Sequence, residues 1–102
     1  MKEIKELARN IREEIHDAEK YIDQAMETKA DYSSLADLYY TLCKEELGHA
    51  NKLHGEAVKL IEKMRDTRRV PETMMDIWAF EHEMLIRDEM DVKRKVERYQ
   101  QM

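Results

Sequence analysis

The segment EELGHANKLH, residues 45–54, sets a carboxylate and an imidazole, Glu46 and His49, three residues apart in an otherwise amphipathic run. Leu42 lies one turn before the pair and Leu53 one turn after it. At about 100° per residue, both polar side chains fall within about 40° of the apolar line through Leu42, Leu53 and Leu60. An ionised carboxylate on such a line is costly unless something compensates its charge. Two chemistries would do so. In one, Glu46 pairs with a lysine or arginine from another helix and His49 donates to a carbonyl or carboxylate. In the other, the pair binds a metal ion, because an oxygen and a nitrogen donor at i, i+3 project from one side of a helix and suit hard-to-borderline cations.

Other carboxylates sit where the second chemistry needs them. Glu81 and Asp88 run in register with the apolar residues Ile77, Leu85 and Val92. Glu14 and Glu19 flank the apolar stripe of the first helical run on opposite sides, at roughly 80° and 60° from its centre. Glu14 shares its flank with Tyr21, two turns on. Depth adds a second constraint, since equal residue counts are equal rises of about 1.5 Å each. Counted from the first turn region, Glu14 is level with Glu46 and His49. Counted from the second, Asp88 arrives at the same level and Glu81 falls roughly 10 Å lower.

These residues need helices to hold them. Over residues 2–30, Ile4, Leu7, Ala8, Ile11, Ile15, Ala18, Ile22, Ala25 and Met26 recur with a period near 3.6. Asp31, Ser33 and Ser34 are capping candidates for a second helix, which runs to about residue 64. Pro71 followed by Glu72 reads as the start of a third, because proline lacks only an N–H that a first turn leaves unpaired. Its stripe contains Met74, Ile77, Met84, Leu85, Val92, Val96 and Tyr99. Short connections make neighbours antiparallel, so the expectation is one all-α domain over residues 1–102, an up-down-up bundle of three long helices.

Composition narrows the partners. Charged residues make up 40% and apolar ones 42% of 102 residues, with two glycines and one proline, a long-helix profile without strand signals. A net charge of −5 argues against nucleic acid, which needs clustered lysine and arginine. The basic runs at residues 65–69 and around Lys93 to Lys95 read as solvated helix-end charges. The single cysteine, Cys43, excludes an intrachain disulfide and fits a reducing compartment. With no apolar run long enough to span a bilayer, the reading is a soluble cytoplasmic protein with no membrane partner. Cys43 is expected as an inert thiol on the edge of the second helix. His16, His54 and His82 are expected in solvent, and of Tyr39 and Tyr40 one ring is expected in the core. Met75, Ile86 and Met90 point off the main stripe and favour association. No phosphate loop, nucleophile elbow or Cys/His zinc spacing occurs, so hydrolase and kinase readings have no support.

The order Glu14-x6-Tyr21 on one helix, then Glu46-x-x-His49-Ala50 with Leu53 on the next, resembles the rubrerythrin-like and other ferritin-like di-iron carboxylate proteins over roughly residues 8–61. The resemblance implies Glu14 and Glu46 as carboxylate ligands, Glu46 bridging, His49 as a nitrogen ligand, and Tyr21 as a hydrogen-bond partner behind them. It implies a di-iron cofactor, with manganese or zinc as substitutes, and ferroxidase chemistry in which Fe(II) is oxidised by oxygen or peroxide. The departure is that a complete site of this type draws on four helices and two Glu-x-x-His motifs, and this chain has one. Two arrangements would repair it. In the preferred one, a two-fold axis brings Glu14, Glu46 and His49 from two protomers together, as in the encapsulated ferritin-like proteins that the EE..HA segment also resembles. In the other, one protomer binds a single ion through Glu14, Glu46, His49 and Asp88, or Glu81. The competing class is a non-catalytic three-helix scaffold in which Glu46, His49 and Asp88 form a polar network.

Overall fold

A computed structural model describes residues 2–67 and 71–102 of the chain. It contains three helices, α1 (Lys2–Thr28), α2 (Ser33–Asp66) and α3 (Glu72–Gln100), and no strand among the described residues. Arg68 and Arg69 of the basic run lie outside them.

The pairing of side chains fixes the directions. Tyr21 stacks on Tyr39, Glu14 faces His49, and Ala8 shares a cluster with Ala57, so advancing along α1 means retreating along α2. Arg12 faces Glu81 and Asp23 faces Lys95, so α1 and α3 run the same way. The bundle is up-down-up and forms a rod of 56 × 17 × 17 Å.

Each helix presents a buried line with a spacing of seven residues. The lines are Ile4, Ile11, Ala18 and Ala25 in α1, Ala36, Cys43, Ala50 and Ala57 in α2, and Trp78, Leu85, Val92 and Tyr99 in α3. In α1 a second line, Ala8, Ile15 and Ile22, interleaves with the first at alternating steps of three and four. This is the repeat of wrapped helices, in which a fixed seam keeps facing its neighbour. The α1–α2 seam carries alanine from both sides, and small side chains let these two backbones approach along their length. The α1–α3 contact is sparser, and α2 and α3 meet chiefly through long side chains.

Those alanines move the centre of α2 away from its leucines. The centre is the Ala36–Cys43–Ala50–Ala57 line, whereas Leu42, Leu53 and Leu60 are half-buried and Leu38 is 53% exposed. Glu46 and His49 therefore stand at the rim of the helix pair and not on its core line, a correction that follows from alanine permitting the closest approach. The same shift occurs in α3, where Ile77 is 52% exposed and the bulky Trp78 takes the seam instead. Glu81 and Asp88 are consequently flanking, half-buried positions. Cys43 is in the core and not at the edge of α2. Burial, followed by the nearby Asp23 charge, pushes its thiol up to about 11, which suits an inert role. Met75 packs in the cluster around Trp78, while Ile86 and Met90 are exposed. Neither Tyr39 nor Tyr40 is fully buried.

The caps also differ from expectation. Tyr32 occupies the N-cap of α2 without a side-chain cap, and its N–H donates to the Thr28 carbonyl at 2.8 Å, continuing the exit from α1. Asp31, Ser33 and Ser34 are not needed because backbone donors and acceptors close this turn on themselves. Pro71 precedes α3 as its N-cap residue. No described helix is long and apolar enough to cross a membrane.

Candidate metal centre

Glu14 projects from α1, and Glu46 and His49 project from adjacent turns of α2, onto one flank of the helix pair. His49 Nδ1 lies 3.5 Å from Glu14 Oε2 and 3.8 Å from Glu46 Oε2. One ligand atom from each of the three residues falls within 4.8 Å of the others. The equal rise of antiparallel helices accounts for the match in depth, and the close alanine seam accounts for the short reach between the two backbones.

Glu14 Oε2 is buried and has no hydrogen-bond partner. The distance to His49 is an ion-pair spacing and too long for a good hydrogen bond. A buried carboxylate oxygen left in this state is destabilising by about 1–3 kcal/mol. A cation between the three side chains would satisfy it, and two carboxylates with one imidazole form a donor set for a hard-to-borderline divalent ion. The group is open on one side: the Glu14 and Glu46 side chains are 27% and 20% exposed, but that of His49 is 54% exposed.

Asp88 and Glu81 are not brought to this group. The reason is azimuth, because α3 docks on the flank of α1 that carries Arg12, Glu19 and Asp23. Those residues lie roughly 140–200° around the helix from Glu14 at about 100° per residue. Asp88 thus has the right depth on the wrong side, and Glu81 Oε1 lies 4.0 Å from Arg12. Tyr21 is on the Glu14 flank, where its ring stacks on Tyr39 at 6.3 Å and 23°.

The α3 side has its own polar network. Lys95 donates to Asp23 at 2.9 Å and approaches Glu19 at 3.7 Å, and the Asp23 bond, helped by the two carboxylate charges, outweighs burial and raises its pKa. Tyr99 donates to Asp37 at 2.6 Å, and burial followed by that carboxylate pushes the phenol up to about 12. His54 and His82, expected in solvent, instead meet each other across α2 and α3 at 2.7 Å. The signal was present in the pattern: His82 is four residues past Trp78 and three before Leu85, which places it beside the α3 seam.

Comparison with protein-family models, curated proteins and solved structures finds no match. Function is therefore argued from the geometry alone.

Proposed function

We propose that the protein is a ferritin-like iron-binding protein whose Glu14, Glu46 and His49 form one half of a di-iron centre, completed by the same residues of a second copy. The observation that carries this reading is the buried, unpartnered Oε2 of Glu14, beside a second carboxylate and an imidazole and open toward solvent. The surroundings support it. On α2, Leu35, Leu38, Leu42, Leu53 and Leu60 share the half-turn that carries Glu46 and His49, and on α1 Leu7 and Tyr21 share the flank of Glu14. Leu35 and Leu38 are exposed and the other leucines are half-buried, so the flank is an apolar strip interrupted by donors. Apolar surface of this kind marks an interface. A two-fold axis through the donors would juxtapose four carboxylates and two imidazoles while burying the leucines on both sides.

In this reading each protomer would supply two carboxylates, Glu14 and Glu46, and a nitrogen, His49. Two Fe(II) ions held by them would supply the two electrons that reduce oxygen to peroxide, or peroxide to water. Manganese or zinc would occupy the same donors without that oxidation. Tyr21, on the same flank, would act behind these ligands as a hydrogen-bond partner. The competing reading is a non-catalytic scaffold, favoured by the His49 distances of 3.5 and 3.8 Å, which suit a polar network of one imidazole between two carboxylates.

Anomalous scattering across the iron edge, on crystals grown with Fe(II), locates the ion and shows how many protomers share it. Two ions between two copies are expected, together with a metal-dependent rise in Tm that Glu46→Ala and His49→Ala abolish. An unchanged melting curve and no anomalous peak at Glu14 would leave the scaffold reading in its place. One ion held by a single protomer in a strictly monomeric solution state would overturn the shared site.

A further inference from the structure

We propose that His54 and His82 form a second transition-metal site, separate from the Glu14 group and on the other flank of the buried line of α2, for a borderline divalent ion such as Zn(II) or Ni(II). The two rings come from different helices at a place where the backbones of α2 and α3 scarcely approach. Their Nε2 atoms are 2.7 Å apart, and the ring centroids are 4.8 Å apart with 8° between the planes. These values do not describe face-to-face stacking. The centroid separation is close to the nitrogen separation plus the two centre-to-nitrogen distances, so the rings lie edge to edge in nearly one plane, each Nε2 directed at the other.

Two nitrogen lone pairs on one axis repel unless something lies between them. A shared proton in an N–H···N bond is one solution, and a metal ion is the other. Tetrahedral coordination with metal–nitrogen bonds of 2.0–2.1 Å places two imidazole nitrogens about 3.3 Å apart, so the rings need to part by under 1 Å and each to turn by about 35° to aim its lone pair at the ion. Side-chain rotation at two half-buried positions supplies that movement.

The surroundings suit an ion. Burial, followed by the neighbouring His54, lowers the pKa of His82 against the partly opposing Glu83 carboxylate. Arg12, the nearby cation on α1, is already directed to Glu81. Imidazole donors favour zinc, nickel and copper over the hard ions that carboxylates prefer, so the two sites differ in the metal they select. An ion here would clamp the first half of α3, which starts without a side-chain cap, onto α2.

The only tryptophan, Trp78, reports on the site, because its ring lies 5.6 Å from that of His82. Ni(II) is titrated against Trp fluorescence in a Glu46→Ala/His49→Ala background, so that failure of the carboxylate centre leaves the measurement intact. Saturable quenching is expected, displaced by Zn(II) and weakened at least about tenfold in His54→Phe and in His82→Phe, each checked for helix content. On the unaltered chain, Zn(II) is expected to slow diethyl pyrocarbonate labelling of His54 and His82 relative to exposed His16. Quenching that does not saturate, that survives both substitutions, or labelling rates that ignore Zn(II) would each establish the pair as a proton-sharing contact only.

Discussion

On the flank of α1 that faces α3, Asp23 and Glu19 receive Lys95, and Arg12 meets Glu81. Across the same groove Tyr99 donates to Asp37 and His54 meets His82. On the opposite flank the Glu14 carboxylate retains a buried oxygen with no hydrogen-bond partner, on the same flank as the half-buried Leu42 and Leu53 of α2. Both flanks belong to one helix and carry similar residue types. The difference lies in the partner: α3 brings long polar side chains to one flank, and nothing among the described residues does so for the other. A small all-helical chain reaches stability by covering apolar surface, and a flank left with leucines around unpaired ligand atoms is a surface that still has something to bind.

The contrast is broken most severely through the seam that both flanks share. Ile22 is fully buried and belongs to the larger apolar cluster. Ile22→Ala is expected to lower unfolding stability by about 3 kcal/mol, from lost transfer energy and the cavity left behind. Leu38→Ala, on the open flank, is expected to change the stability of a dilute protomer by less than about 0.5 kcal/mol while weakening self-association. Urea unfolding read beside sedimentation equilibrium checks both. If Leu38→Ala costs as much as Ile22→Ala, the flank is already covered within the protomer.

How much of this was legible in the sequence depends on which coordinate is asked for. Position along the helix axis follows from counting, because the rise per residue is nearly constant. That is why Glu14, Glu46 and His49 emerge level before any coordinates. Position around the axis is harder. Leucine outweighs alanine in hydrophobicity, so the leucine line of α2 reads as its centre, although the smallest side chains permit the closest backbone contact and take the seam. The same weighting places Asp88 beside the Glu14 group when α3 lies on the far side of α1. The four seam positions of each helix are visible as seven-residue spacings, with Trp78 at the head of the third, once large and small residues count equally. The α3 spacing places His82 beside the seam, but its meeting with His54 depends on how two helices dock, which no single helix pattern contains.

A smaller effect tests the unpartnered oxygen itself. Glu14→Gln removes the charge and adds a donor that His49 or Glu46 can accept. In metal-free buffer containing a chelator, the variant is expected to be more stable than the parent by roughly 1 kcal/mol, since an unsatisfied buried acceptor is relieved. Its Tm should no longer respond to Fe(II). Thermal melts with and without chelator separate the two statements. A metal-free Tm below that of the parent would mean that the Glu14 charge is already used within the protomer, and the two flanks would then be equally complete.

The smallest effect belongs to the flank that α3 covers. Lys95 bridges α3 to Asp23 and Glu19, but all three side chains are partly solvated, so Lys95→Met is expected to cost at most about 1 kcal/mol. The pH dependence carries more information than the size. The bond to Asp23 raises the folded-state pKa of Lys95, so its contribution is fully present below the unfolded lysine value, about 10.4, and is lost as pH rises through the higher folded value. The difference in Tm between parent and variant should therefore stay constant from neutral pH to about 9 and close above that window. Tyr99 also ionises at high pH, but it is present in both proteins and cancels in the difference. A gap that closes on acidification toward the carboxylate range, with no change at high pH, would assign the contribution to Asp23 and Glu19 instead.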